Sequence, residues 1–84
     1  MRFAYVYFMK DNPERVRLAV SNHVRHWRRL QLEGYSGGPF ADRSGGLIVF
    51  DAPSPDEAQR AVGSDPFLVE DLLETYWLKE WSPE

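Results

Sequence analysis

The opening segment of the chain is apolar on both of its alternating sets of residues. Odd and even positions within residues 2–10 are both filled by apolar or aromatic side chains, namely Phe3, Tyr5, Tyr7 and Met9 against Ala4, Val6 and Phe8. Because successive side chains of a strand point to opposite faces, both faces of this strand have to be covered. Residues 46–50 and 75–81 repeat the pattern, with Trp77 and Trp81 on one face of the last segment. The chain is therefore expected to bury a sheet on two sides.

Proline and glycine residues mark the helices between these segments. Asn12 followed by Pro13 predicts a helix start, and Gly34 predicts its stop after about residue 33. Ser54 before Pro55 predicts a second helix, which ends at residue 63. The same device at residues 65 and 66 predicts one short further turn of helix.

With a weak glycine-containing strand at residues 35–40, the predicted order of elements is βαββαβ. This order favours a ferredoxin-like α+β fold, in which a four-stranded antiparallel sheet carries two helices on one face. A chain of 84 residues has room for one domain, so the prediction is a single domain over residues 1–84. The sheet face without helices would stay bare in a monomer, and we therefore expect a homodimer.

Charge and cysteine content restrict the classes of partner. Residues 1–50 carry eight Lys or Arg against four Asp or Glu, or +4, while residues 51–84 carry two against nine, or −7. The net charge of −3 repels phosphate backbones, so no nucleic-acid partner is expected although the sheet is rich in aromatic residues. Apolar runs too short for a membrane span and the absence of cysteine predict a cytoplasmic protein without a membrane partner.

Four segments in fixed order resemble one known family. They are residues 23–31 (HVRHWRRLQ), 37–39 (GGP), 45–50 (GGLIVF) and 64–67 (SDPF), and the likeness to the YCII-related (YciI-like) family extends over nearly the whole chain. The resemblance implies a dimeric α+β barrel with a site made by a helix histidine and the Asp of an Asp-Pro-aromatic motif. In this chain those residues correspond to His26 and Asp65. The resemblance of the chain extends to small proteins similar to dehydrochlorinases, isomerases and lyases that act on oxygenated ring compounds.

The sequence thus predicts a small pocket between the first helix and the sheet. His26 is the candidate acid/base and Asp65 its orienting carboxylate, which suits proton transfer on a small oxygenated organic or anionic molecule. Candidate ligand-binding residues are His23, Gly37, Gly38, Pro39 and Phe67. No cofactor is predicted, and no metal site either, because His23 and His26 lack a third ligand.

Three alternatives stay open at this point. His26 can be a boundary residue that fills space beside Trp27, and Asp65 can be only the cap of the short helix. The whole protein can also be a non-catalytic module for small-molecule binding or for dimerisation.

Overall fold

The chain alternates strands and helices in the order that the sequence predicts. The computed structural model describes residues 1–84, and all four strands pair antiparallel in the order β2-β3-β1-β4. The elements are β1 (Arg2–Met9), α1 (Pro13–Arg29), β2 (Ser36–Pro39), β3 (Gly45–Asp51), α2 (Pro55–Gly63), α3 (Pro66–Val69) and β4 (Leu73–Glu80). The four-stranded ferredoxin-like α+β fold is therefore confirmed.

The three helix starts form as predicted. Asn12 Oδ1 accepts from the Arg15 amide at 3.4 Å, and Ser54 Oγ accepts from the Glu57 amide at 3.2 Å. In each helix a proline occupies the first turn, where a missing N–H costs nothing. The local sequence at the caps is thus sufficient to place all three helices.

Helix α1 is shorter than predicted, because it ends at Arg29 rather than near residue 33. Gln31 adopts a left-handed backbone with φ of 50°, which turns the chain back toward the sheet before Gly34 is reached. Gly34, with φ of 62°, lies in the connection itself, where its carbonyl accepts from Arg2 Nη1 at 3.3 Å. The glycine therefore ends the connecting turn and not the helix.

The core lies between the helices and one face of the sheet. We call this the covered face, and its strand residues are Phe3, Tyr5, Tyr7, Ile48 and Phe50, each at most 4% exposed. The opposite face, here called the open face, carries Ala4, Val6, Phe8, Leu47, Val49 and Trp77. No helix of this fold is both long enough and apolar enough to cross a bilayer.

Candidate acid/base site

A single carboxylate stands at the centre of the covered face. Asp65, the cap of α3, is fully buried, and its Oδ1 accepts from the Phe67 amide at 2.9 Å. Its Oδ2 accepts from Tyr5 Oη and from Trp27 Nε1, each at 3.1 Å. The fourth contact joins Oδ1 to His23 Nδ1 at 2.8 Å. Because an ionised carboxylate offers about four acceptor positions, Asp65 has no free position left.

Helix α1 brings His23 over this carboxylate from the middle of its buried face, between Ala19 and Trp27. Its ring stacks on Phe67 with centroids 4.0 Å apart and planes 11° from parallel, and it meets the edge of Tyr7 at 5.7 Å. While Nδ1 faces Asp65, the other nitrogen, Nε2, has no hydrogen-bond partner. Since every fully buried side-chain N or O atom has a partner, Nε2 must reach the protein surface. The ring is therefore held on three sides and open at one nitrogen.

The surrounding donors keep Asp65 charged. Burial alone raises the pKa of the Asp65 carboxyl. The hydrogen bond and charge of His23, together with the hydrogen bonds from the Phe67 amide and from Trp27, lower this pKa below its ordinary value. Burial, followed by the charge and hydrogen bond of Asp65, raises the pKa of Tyr5 far above its ordinary value. At neutral pH Asp65 is therefore an ionised carboxylate and Tyr5 a neutral phenol. Because an ionised carboxylate has no proton to donate, Asp65 can only accept from His23 Nδ1.

The predicted pairing of His26 with Asp65 is wrong. His26 Nε2 instead lies 2.8 Å from the carbonyl oxygen of Ala61 in α2. Its side chain lines a separate surface groove between α1 and the start of α3, together with Arg25 and Arg29. Residues three apart in a helix lie about 60° from each other around its axis, and here that offset turns His26 toward Ala61 of α2 while His23 meets Asp65. In the structure, the histidine that contacts the carboxylate is therefore His23, on the buried face of α1.

The other predicted site residues are divided between the two faces of the sheet. Phe67 is brought to the site, where it packs on His23 and is itself only 4% exposed. Gly37 lies opposite Ile48 on the covered face, close beneath the Tyr35 hydroxyl. Gly38 lies opposite Leu47 on the open face and has no neighbour where a side chain would be. Pro39 pairs with Gly46 at the start of β3. Contact of these residues with a ligand stays a prediction.

A cavity of about 500 Å³ opens between the first turns of α1 and the end of β1. Its lining is mixed, with the apolar residues Met9, Val16 and Val20 beside the cationic Lys10, Arg17 and Arg43 and the acidic Asp11. Val20 lies one helical turn before His23, and Met9 lies two residues beyond Tyr7 on the same strand face. Residues close to Tyr7 and His23 in the chain therefore line this cavity, which is separate from the groove that His26 lines.

Tyr5 and Trp27 are site residues that the sequence analysis did not name as candidates. Their polar atoms are the overlooked signal, because a buried Tyr or Trp nearly always bonds its O–H or N–H to a partner. Asp65 is a short acidic residue in an otherwise apolar neighbourhood and is the natural acceptor for both. The structure contains no group of three or more His, Cys, Asp or Glu side chains that could hold a metal ion.

Comparison with known proteins identifies one family and several solved structures with a similar fold, of which two are described below. The sequence profile of the family described as YCII-related domain matches residues 1–82. No curated protein matches the chain in sequence.

The two solved structures resemble the chain along almost their whole lengths. The first is 5-chloro-2-hydroxyhydroquinone dehydrochlorinase (TftG) from Burkholderia phenoliruptrix AC1100 in complex with 2,5-dihydroxybenzoquinone. It is similar to this chain with a TM-score of 0.85 and 22% identity, over 100% of this chain and 96% of its own. An antibiotic biosynthesis monooxygenase is similar with a TM-score of 0.65 and 12% identity, over 98% of each chain. At these identities both likenesses show a shared fold.

Proposed function

The chain belongs to the family of YCII-related domains, and we propose that it is a small-molecule enzyme in which His23 and Asp65 form a general acid/base pair. The observation that carries the proposal is the asymmetry of the His23 ring. Asp65 Oδ1 holds Nδ1 at 2.8 Å, while Nε2 is unpartnered and reaches the surface. In this proposal His23 takes the acid/base role that the sequence analysis gave to His26.

The ring geometry specifies which nitrogen moves the proton. The ionised carboxylate accepts from Nδ1–H, so in the neutral imidazole the nitrogen without a proton, which can act as the base, is Nε2. When Nε2 takes a proton from a carbon, the resulting imidazolium is stabilised by the charge of Asp65. The same proton can then return to another atom of the substrate, which gives an isomerisation. If a neighbouring bond breaks and its electron pair leaves with the departing group, the outcome is an elimination.

The site chemistry favours proton transfer over acyl transfer. The chain has no cysteine, and the only hydrogen-bond partner of the His23 ring is Asp65, so no serine or threonine hydroxyl is activated there. A small oxygenated organic molecule fits the partly apolar, partly cationic cavity. The structural likeness to a dehydrochlorinase that holds 2,5-dihydroxybenzoquinone supports the same substrate class.

We extend the proposal to the assembly. Trp77 is 57% exposed, Trp81 46% and Leu47 39%, and all three lie on or beside the open face. A sheet face this apolar is best covered by the same face of a second copy, which would give a homodimer with a self-complementary interface. The absence of cysteine fits the reducing cytoplasm as the place where the protein acts.

A second candidate function rests on the same carboxylate. Because all four acceptor positions of Asp65 are used by donors within the subunit, the cluster has a complete structural role without any substrate. Under this interpretation the protein binds a small molecule beside His23 and performs no proton transfer.

The two candidates are separated by a test with paired variants. The wild type, His23→Gln and the matched control His26→Gln are incubated with 5-chloro-2-hydroxyhydroquinone, and chloride release is followed. Binding of 2,5-dihydroxybenzoquinone, the quinone probe, is measured in parallel by calorimetry. We expect His23→Gln to abolish chloride release and His26→Gln to retain it. Probe binding that needs His23 without any turnover would support the binding module, and turnover that survives in His23→Gln would exclude His23 as the base.

A further inference from the structure

Two tyrosines on the same face of β1 have opposite hydrogen-bonding states. Tyr5 Oη donates to Asp65 Oδ2 at 3.1 Å and is sealed in the core. The side chain of Tyr7, two residues further along, is also buried, yet its Oη has no hydrogen-bond partner. Since no fully buried polar side-chain atom lacks a partner, Tyr7 Oη reaches the surface, as His23 Nε2 does. The covered face thus presents one free hydroxyl beside one free imidazole nitrogen.

A glycine makes room for the Tyr7 ring. Gly46 pairs with Tyr7 across β1 and β3, and a side chain at that position would overlap the Tyr7 hydroxyl. The phenol therefore extends from β1 over the start of β3, with its hydroxyl close to Gly46. Its ring is edge-on to His23 at 5.7 Å and meets Phe67 at 5.9 Å, so its position is fixed by packing.

Residues close to Tyr7 and His23 in the chain line the cavity described above. Met9 lies two residues after Tyr7, Val20 lies one turn before His23, and Ser44 lies two residues before Gly46, and each of the three lines the cavity. We infer that the Tyr7 hydroxyl is a substrate-binding hydrogen-bond donor, which holds a carbonyl or phenolic oxygen next to the carbon that exchanges a proton with His23 Nε2. This inference rests on the proposed function and extends it to a second residue and a defined substrate group.

The hydroxyl is in the correct protonation state for this role. Burial, and then the charge of Asp65, raises the pKa of Tyr7 to about 12, so the phenol stays protonated at neutral pH and can donate. When a proton leaves the carbon, its electron pair moves toward the adjacent oxygen, which becomes negative. A hydrogen bond to that oxygen strengthens as the charge develops. Tyr7 therefore stabilises the charge that His23 creates.

Substitution by phenylalanine isolates the hydroxyl. Tyr7→Phe removes no hydrogen bond within the protein, whereas the control Tyr5→Phe removes the bond to Asp65. We expect Tyr7→Phe to unfold at the wild-type temperature and to bind the quinone probe about tenfold more weakly, as expected for loss of a bond to a charged oxygen. Tyr5→Phe should instead lower the unfolding temperature and change probe binding less.

Carbon-13 labelling at the tyrosine Cζ atoms gives a direct second readout. The chain has four tyrosines, so four resonances are expected, and the one missing in Tyr7→Phe identifies Tyr7. Addition of the quinone probe should shift the Tyr7 resonance and leave that of Tyr5 unmoved. Probe binding that needs His23, but neither shifts the Tyr7 resonance nor weakens in Tyr7→Phe, overturns this inference alone. A wild type that neither binds the probe nor releases chloride overturns the inference and the proposed function together.

Discussion

The two faces of the sheet carry similar side chains in different surroundings. Trp27 of α1, which packs against the covered face, is 1% exposed and its Nε1 donates to Asp65, whereas Trp77 on the open face is 57% exposed. The covered face can bury polar aromatic groups because one carboxylate accepts from them, while the open face leaves its indole groups to water or to a partner. A strand with apolar residues at both its odd and its even positions thus indicates that both faces can be buried. The helices decide which of the two faces is buried within the subunit.

The strongest way to break this comparison is to truncate one tryptophan on each face. Trp27→Ala should lower the free energy of unfolding by about 3–5 kcal/mol, because it opens a large cavity in the core. Trp77→Ala should cost much less in the subunit, because more than half of that side chain is already exposed. Urea denaturation at equal, low protein concentration measures both values, and equal losses would show that the open face is as tightly buried as the core.

The second largest effect is expected at the carboxylate itself. Asparagine caps a helix nearly as well as aspartate, so a cap alone predicts a loss of only a few tenths of a kcal/mol for Asp65→Asn. The structure predicts more, because an amide has one acceptor oxygen and its NH₂ group would face N–H or O–H donors. We expect a loss of about 1.5–3 kcal/mol from hydrogen bonds to a charged group. A loss of only a few tenths in urea denaturation would reduce Asp65 to a helix cap.

The same variant should also change the acid dependence of stability. The pKa of Asp65 is lower in the folded chain than its unfolded value of about 3.9, so its contribution is complete above about pH 5. It is lost as the pH falls through the lower, folded value. The free energy of unfolding of the wild type should therefore decrease more steeply below about pH 4 than that of Asp65→Asn.

The smallest expected free-energy change concerns the open face. Wild-type protein at low micromolar concentration should sediment with about twice the mass of the 9.8 kDa chain. Leu47→Asp places a charge at the centre of that face and should weaken association at least about tenfold, or about 1.4 kcal/mol. Glu74→Lys, an exposed charge change at the start of β4, serves as the control. A wild type that sediments as a monomer would leave the open face without its proposed partner.

Sequence reasoning predicted the elements better than their mutual placement. Capping residues and alternation are local signals, so the strands and the three helix starts could be recognised directly. The end of α1 could not, because Gln31 takes a left-handed conformation that only the return to the sheet explains. Likewise, which turn of α1 faces Asp65 depends on how α3 docks against it. The family resemblance pointed to His26 as the partner of Asp65, whereas in the structure His23 holds the carboxylate.

The position of Asp65 also affects how the chain folds. Its donors lie 38, 42 and 60 residues away along the chain, on α1 for Trp27 and His23 and on β1 for Tyr5. A partly assembled intermediate that buried this carboxylate beside only one of them would leave a poorly compensated charge in an apolar setting, which is strongly unfavourable. Docking of the N-terminal strand, the long helix and the short helix is thereby coupled. The carboxylate acts as a cooperativity element, which disfavours intermediates in which one of these segments is already in place and the others are not.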